Sequence, residues 1–313
     1  MKTQENGRAR PEAIRAVPVR HPGRWIAVAV LVVLTAQFAH MLFTNEQFMW
    51  AYMFENAFRP SVLEGVRTSL VLTVLAMLIG VALGVVIAVL RLSDNPVLSG
   101  VAWVYTWFFR AVPRLVLAVL FGNMGILYAQ YTVGLPFTEQ FADLLGVDIN
   151  GTIFSIDANT LLTGFMAGLL ALALSEAAYM AEIVRAGILS VDPGQAEAAS
   201  ALGMSKPLVM RRIVLPQAMR VIIPPTGNET IAMLKDTALV AFVPVTNELF
   251  FQLTAIGTRD FRPFPMLVAA CLWYVALTSV LLVGQYFLER RFSRGTQRTA
   301  RARTRLRVLG GDH

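Results

Sequence analysis

Long apolar runs alternate along this chain with short polar intervals. Ile26–Leu42, Thr68–Leu90 and Met266–Leu288 contain no Asp, Glu, Lys or Arg. At ~1.5 Å of helical rise per residue, such runs match a hydrocarbon core of ~30 Å. Three further apolar runs are interrupted. Val101–Tyr131 contains Arg110, Pro113 and Arg114; Leu161–Tyr179 contains Glu176; Val221–Val243 contains Pro224, Pro225, Glu229, Lys235 and Asp236. The pattern predicts an all-α integral membrane protein with about six transmembrane helices.

Composition agrees with a membrane setting. Of 313 residues, 56% are hydrophobic and 15% charged, with a mean hydropathy of +0.59. The first apolar run follows a basic arm, residues 1–25, and ends in His40-Met41-Leu42-Phe43. Those bulky residues do not form a signal-peptidase site, so residues 26–43 are read as a retained helix. A single cysteine, Cys271, excludes an internal disulfide, and the scattered histidines His21, His40 and His313 offer no metal site.

Charge sets the expected orientation, because Lys and Arg are retained on the cytoplasmic side. The arm is basic, and so is the tail, residues 289–313, with Arg290, Arg291, Arg294, Arg298, Arg301, Arg303, Arg305 and Arg307. An even number of spans places both termini in the cytoplasm. The insert 132–159 is then external, and it carries Glu139, Asp143, Asp148 and Asp157 without Lys or Arg. The loop 190–216, with Lys206, Arg211 and Arg212, falls on the inside. A basic tail beside a span is a topology signal or an anionic-lipid contact; nucleic acid is not read as a partner.

The loop 190–216 has its own grammar. Asp192 is an N-cap with Pro193 in the first turn, Gln195 supplies a capping-box variant, and Gly203 is placed to stop the helix. Ser205 is a second cap, for KPLVMRRIVL, and Pro216 separates that turn from the next span. So short a helix must pack on something. The Ala196, Ala199, Ala201 and Leu202 surface either enters a groove of another subunit, led by Glu197, or packs back on its own bundle.

Glu197, Ala198, Ala199, Gly203, Ile213, Leu215 and Pro216 match E-A-A, three residues, G, nine residues, I-x-L-P at every specified position. This resembles the EAA motif of permease subunits of ABC importers with the type I fold. The flanking words AYMAEIVRAGILSVDPGQAEAASALG and LPQAMRVIIPPTGNETIAMLKDTALVAF are similar to the branch that imports polar amino acids, as are SVLEGVRTSLVLT and FFRAVPRLVLAVL. Ala111 and Val112 stand where Gly and Thr are commoner in that branch. The resemblance covers residues 61–288 and leaves the helix 26–43 as an addition.

What the resemblance implies is a permease in the bacterial cytoplasmic membrane that works by alternating access. Its partners would be an ABC ATPase dimer, a second permease subunit (identical or paralogous), an extracytoplasmic solute-binding protein and the bilayer. Glu197, Ala198, Ala199, Leu202, Gly203, Arg211 and Arg212 would couple it to the ATPase. The chain is expected to be no enzyme and to hold no cofactor: none of Lys2, Lys206 and Lys235 follows a Gly as a phosphate-binding loop requires, so ATP and Mg belong to the partner ATPase.

Polar residues at membrane depth are costly and face protein or a wet cavity. Glu176, Asn228, Glu229, Lys235, Asp236 and Thr237 are therefore the candidate substrate pathway, with an interhelical structural network as the other reading of the same residues. Gly80 with Gly84, and Gly164 with Gly168, are spaced for close helix packing. Trp103, Tyr105 and Trp107 are read as interface anchors. A secondary transporter driven by an ion gradient is the alternative function, and it leaves the EAA spacing unexplained.

Overall fold

The structure is a computed structural model describing residues 22–127, 130–134, 138, 152–157, 163–243 and 245–292. The arm before Pro22, the tail after Phe292 and most of the insert 132–159, including Glu139, Asp143 and Asp148, lie outside the described residues. The chain divides into two units, Met1–Phe48 and Met49–His313. In the first, helix α1 (Pro22–Thr44) contains the expected run 26–43 and has no buried residue. A 3-10 turn, Glu46–Phe48, follows it.

The second unit is a helical bundle. Its helices are α2 (Trp50–Ala57), α3 (Pro60–Arg91), α4 (Pro96–Ala111), α5 (Arg114–Gly122), α6 (Met124–Leu127), α7 (Gly164–Leu189), α8 (Pro193–Ala201), α9 (Lys206–Val209), α10 (Leu215–Asp236), α11 (Leu249–Arg259) and α12 (Pro263–Phe292). Proline opens α3, α4, α8 and α12, where its missing N–H costs nothing and its φ suits the first turn. Asn95 adds a side-chain cap to α4, accepting from the Val97 N–H at 2.9 Å.

Among the described residues, α1, α3, α7 and α12 are long and apolar enough to cross a membrane. Helices α4 and α5 together pass the same test as a broken span bent by 97°. The break falls at Val112-Pro113: proline drives the preceding residue out of the helical region, and Val112 sits at ψ 127°. The expected sixth span corresponds to α10, which has 22 residues. It is too polar to qualify by composition, because Asn228, Glu229, Lys235 and Asp236 cluster in its second half. It also starts earlier than Val221 and ends before Val243, its last turn tightening into a 3-10 segment, Thr237–Phe242. Helix α7 runs past Tyr179 to Leu189, where Glu182 is neutralised by Arg185 at 2.8 Å and Arg91 at 3.6 Å.

Helix α7 is the axis of the core. Its Leu169, Ala171, Leu172 and Ala173 pack with Leu72, Ala76, Leu117 and Met233. Gly80 and Gly84 of α3 face it, with Glu176 and Met180 filling the space that side chains would take. Gly168 likewise admits Val240. A second apolar cluster joins α2, α11 and α12 through Met53, Leu249, Leu253 and Met266. Between α6 and α7 the all-α pattern is relieved by an antiparallel hairpin, β1 (Gln130–Gly134) and β2 (Thr152–Asp157). Its Tyr131, Val133, Ile153, Phe154 and Ile156 are β-favouring residues. The Tyr105 hydroxyl turns inward and donates to the Leu174 carbonyl at 2.8 Å. Trp103 and Trp107 remain exposed, with ring centroids 6.3 Å apart.

Candidate functional site

The bend between α4 and α5 delivers Arg114 into the bundle. Its guanidinium meets carboxylates from two other helices: Asp236 at 2.5 Å, Glu176 at 2.9 Å and, at longer range, Glu229 at 3.7 Å. Arg114 Nε also donates to the Ser175 hydroxyl at 3.3 Å. The Tyr179 ring lies under the same guanidinium, 4.9 Å from its centroid, and Arg110 approaches that ring at 5.5 Å. Glu176 and Tyr179 are one helical turn apart on α7, and Glu229 and Asp236 are two turns apart on α10, so each helix presents its groups on one face.

Burial decides what this cluster can do. The Glu176 side chain is 0% exposed and that of Arg114 11%, whereas Glu229 and Asp236 are reached by solvent at 26% and 32%. A buried carboxylate must be paired. Arg114 satisfies only one oxygen of Glu176; among the described residues Oε1 has no hydrogen-bond partner. With one guanidinium against three carboxylates, the cluster holds surplus acceptor capacity for a cationic group. Helices α3, α7 and α10 also line a mainly apolar, half-open cavity of about 810 Å³, with Val85, Met180, Ile222 and Thr226 among its walls.

The six sequence-predicted pathway residues separate. Glu176, Glu229 and Asp236 come together; Asn228 and Lys235 are exposed, and neither makes an ion pair among the described residues. Lys235 is adjacent to Asp236 and so points away from it. Thr237 is buried, its hydroxyl donating to the Leu234 carbonyl at 2.8 Å. Arg114 was missing from the predicted set, although an arginine inside an apolar run was a visible signal. Glu248 was also missed, because it lies beyond the run that drew attention. Fully buried, it accepts from Ser69 and Tyr274, both at 2.8 Å, and from the backbone N–H groups of Phe250 and Phe251 at 2.7 and 3.1 Å.

The loop 190–216 folds as a helix, a turn and a second helix. Asp192 caps α8 through the Gly194 N–H at 2.8 Å, with Pro193 in the first turn. Gly203 ends it at φ +83°, its N–H donating to Ser200 at 2.9 Å while the Met204 N–H donates to Ala199 at 3.1 Å. This paired pattern satisfies carbonyls that a helix end leaves free. The Gln195 side chain takes no part in the cap, and Ser205 makes no side-chain cap bond. A π-helical stretch, Met210–Val214, then leads into α10. Pro216 lacks the N–H that a regular helix would use there.

The alanine face of α8 splits. Ala199 is buried with Val209 and Val214, and Ala196 packs beside them with Ile188 and Val191. For Ala199 the structure thus takes the second of the two readings, packing back on its own chain. Glu197, Ala198, Ala201, Leu202, Gly203, Arg211 and Arg212 are exposed, Leu202 at 85%.

Residues 80–294 match the family described as binding-protein-dependent transport system inner membrane component. The arginine transport system permease protein ArgU of Corynebacterium glutamicum is 45% identical over 300 residues, which span 94% of this chain and 88% of that protein. The probable amino-acid ABC transporter permease protein YckA of Bacillus subtilis is 32% identical over 249 residues, 78% of this chain and 96% of its own. Among solved structures, the crystal structure of an amino acid ABC transporter with histidines aligns at a TM-score of 0.61 with 33% identity, covering 77% of this chain and 98% of the other. A bacterial alginate ABC transporter shares the fold, at a TM-score of 0.53 and 14% identity. The chain thus belongs to the family of binding-protein-dependent transport system inner membrane components, as a permease subunit with the transmembrane fold of type I ABC importers and without an ATP-hydrolysing site of its own.

Proposed function

We propose that the chain translocates a polar amino acid, with a cationic one favoured, across the bacterial cytoplasmic membrane by alternating access. Two ATPase subunits that bind ATP and Mg would drive it, beside a second permease subunit and below an extracytoplasmic binding protein. The observation that carries the cargo reading is the acidic excess at Glu176, Glu229 and Asp236. A cargo ammonium or guanidinium needs charged acceptors in a partly dry site, and charge-assisted hydrogen bonds are the strong ones. The similarity to an arginine permease points the same way.

Coupling falls to the exposed side of the loop 190–216. Glu197, Ala198, Leu202 and Gly203 present a short rigid helix, Arg211 and Arg212 flank it, and Ala199 holds it to α7 through Val191 and Ile188. An ATPase gripping that helix would turn its own closure into rigid-body motion of the spans. This layout keeps residues 61–288 as the permease domain, with 26–43 an added span. We take the insert 132–159 to lie outside, and the loop 190–216, the arm 1–25 and the tail 289–313 in the cytoplasm, on the charge bias of these segments.

The test is reconstitution of the full complex in proteoliposomes and measurement of L-arginine and L-glutamine uptake. Uptake that needs ATP on the ATPase side, and that is lost in Glu197→Ala, is expected. Uptake driven by an ion gradient with the ATPase absent overturns the proposal in favour of a secondary transporter.

A further inference from the structure

A receptor for a cationic group is built from carboxylates and an aromatic face. All of these parts converge here: Glu176, Glu229 and Asp236 supply the oxygens and Tyr179 the ring. The receptor is not empty, because Arg114 of the same chain fills it. Resting on the reading of this cluster as the cargo site, we propose that Arg114 is a tethered stand-in for the cargo's cation, which cationic cargo must displace to be carried.

Three observations favour a displaceable occupant over a permanent strut. The first is where Arg114 sits. It opens α5, a helix of only 9 residues, directly after the Val112-Pro113 break and the 97° bend. A side chain at such a joint moves with a few backbone torsions, whereas one in the middle of α7 would not.

The second is stoichiometry. Among the described residues one guanidinium faces three carboxylates, and Glu176 Oε1 is buried without a partner. A strut selected for stability would be neutralised and satisfied, since leaving a buried acceptor unpaired is costly. Surplus acceptors are what an incoming second cation needs in order to gain a foothold before the first one leaves.

The third is chemical identity. The occupant is a guanidinium, planar and able to bind carboxylates in parallel pairs, so the site is shaped for the group it would exchange. Arg110, 5.5 Å from the Tyr179 ring, stands beside the same receptor.

Two consequences follow from a tethered cation. The empty pathway resists inorganic cations, because a permanently charged group lies across its carboxylates and repels a second positive charge that brings no further binding groups. Cargo without a second positive charge gains less from displacing Arg114, so the residue sets a preference for cationic over neutral amino acids.

The deciding experiment uses the purified complex of permease and ATPase, without the binding protein. L-Arginine and L-glutamine binding are measured by equilibrium dialysis in wild type, Arg114→Gln and Arg114→Lys. Removing an internal competitor raises the apparent affinity by the factor it had suppressed: about tenfold tighter arginine binding is expected for Arg114→Gln and about threefold for Arg114→Lys, whose point charge holds the carboxylates less well. Glutamine binding should change less in both. Intact complexes in which neither variant tightens arginine binding overturn the proposal. If Arg114→Gln does not assemble, the Arg114→Lys result decides in the same way.

Carboxylate variants separate this outcome from failure of the site reading. Where Glu176→Gln and Asp236→Asn abolish arginine binding but the Arg114 variants do not tighten it, the cargo site stands and the stand-in falls. Unchanged binding in the carboxylate variants, or no arginine binding to any protein, overturns both.

Discussion

Gly80 of α3 lies flush against Glu176 of α7: a Cβ at Gly80 would come within 2.7 Å of the Glu176 Cγ. One of the tightest approaches between these two helices is thus made against the side chain whose carboxylate pairs with Arg114. Small residues at this face let α3 enclose the acidic cluster from behind. Gly80→Ala forces either the helix or the carboxylate to move, and overpacking of a tight site costs about 1–3 kcal/mol. We expect lower thermal stability of the purified complex and a fall in arginine uptake per folded transporter. Gly100→Ala, where a Cβ meets nothing within 4 Å, serves as the control and should change neither.

The turn after α8 gives a second prediction. Gly203 sits at φ +83° in open space, so its constraint is conformational and not steric contact with neighbours. A side chain in the left-handed region costs about 1–2 kcal/mol, more when β-branched. Gly203→Val should fray α8 and swing Leu202 away from its place, leaving the bundle intact. Co-purification of the ATPase is the readout: association should drop strongly in Gly203→Val and less in Gly203→Asn. Equal recovery of ATPase with both variants and wild type would remove Gly203 from the coupling element.

The course of the chain explains which of these features could be read beforehand. Helix α8 was legible to the residue because caps are local: Asp192, Pro193 and Gly203 each act within one turn of themselves. The long apolar spans were legible for a similar reason, since solvent preference acts on each segment separately. Which polar residues meet is a different kind of information. Arg114 joins Asp236 across 122 positions, and the 97° bend that brings it there is a tertiary angle that Pro113 permits without specifying. Asn228 and Lys235 share a helix with Glu229 and Asp236 yet face elsewhere, which only the rotation of α10 decides. Glu248 escaped notice because nothing around it in sequence shows that Ser69 and Tyr274 stand opposite.

The corner between α11 and α12 yields a pH prediction. Asp260, in the turn between α11 and α12, accepts from Arg259 at 2.8 Å and from the Tyr52 hydroxyl at 2.7 Å. Those bonds, Arg259 first and Tyr52 second, pull its carboxyl down to about 2. The folded value lies below the ordinary one, so whatever the clip contributes is present above pH ~4 and is lost as pH falls toward 2. Carbon-13 NMR of aspartate carboxyls should show one group still ionised well below pH 4. In Tyr52→Phe that titration should move up toward the ordinary range, and an unmoved titration would disprove the clip.

Glu248 is predicted to be a structural pin distinct from the acidic cluster. It lies where α3, α11 and α12 meet, with four donors aimed at its two oxygens and no cation paired to it among the described residues. Two of those donors are the first free N–H groups of α11, which makes Glu248 the cap of that helix. Glu248→Gln keeps the shape but substitutes an NH₂ for one oxygen, so donors face donors on one side of the amide. Leaving buried groups unpaired costs about 1–3 kcal/mol per group, more where charge is involved. We expect a lower melting temperature of the purified complex, with the specific uptake rate of the surviving folded transporter unchanged below that transition. Asp236→Asn should behave in the opposite way, losing uptake with little change in melting. A Glu248→Gln complex that melts like wild type but fails to transport would move Glu248 from the scaffold into the pathway.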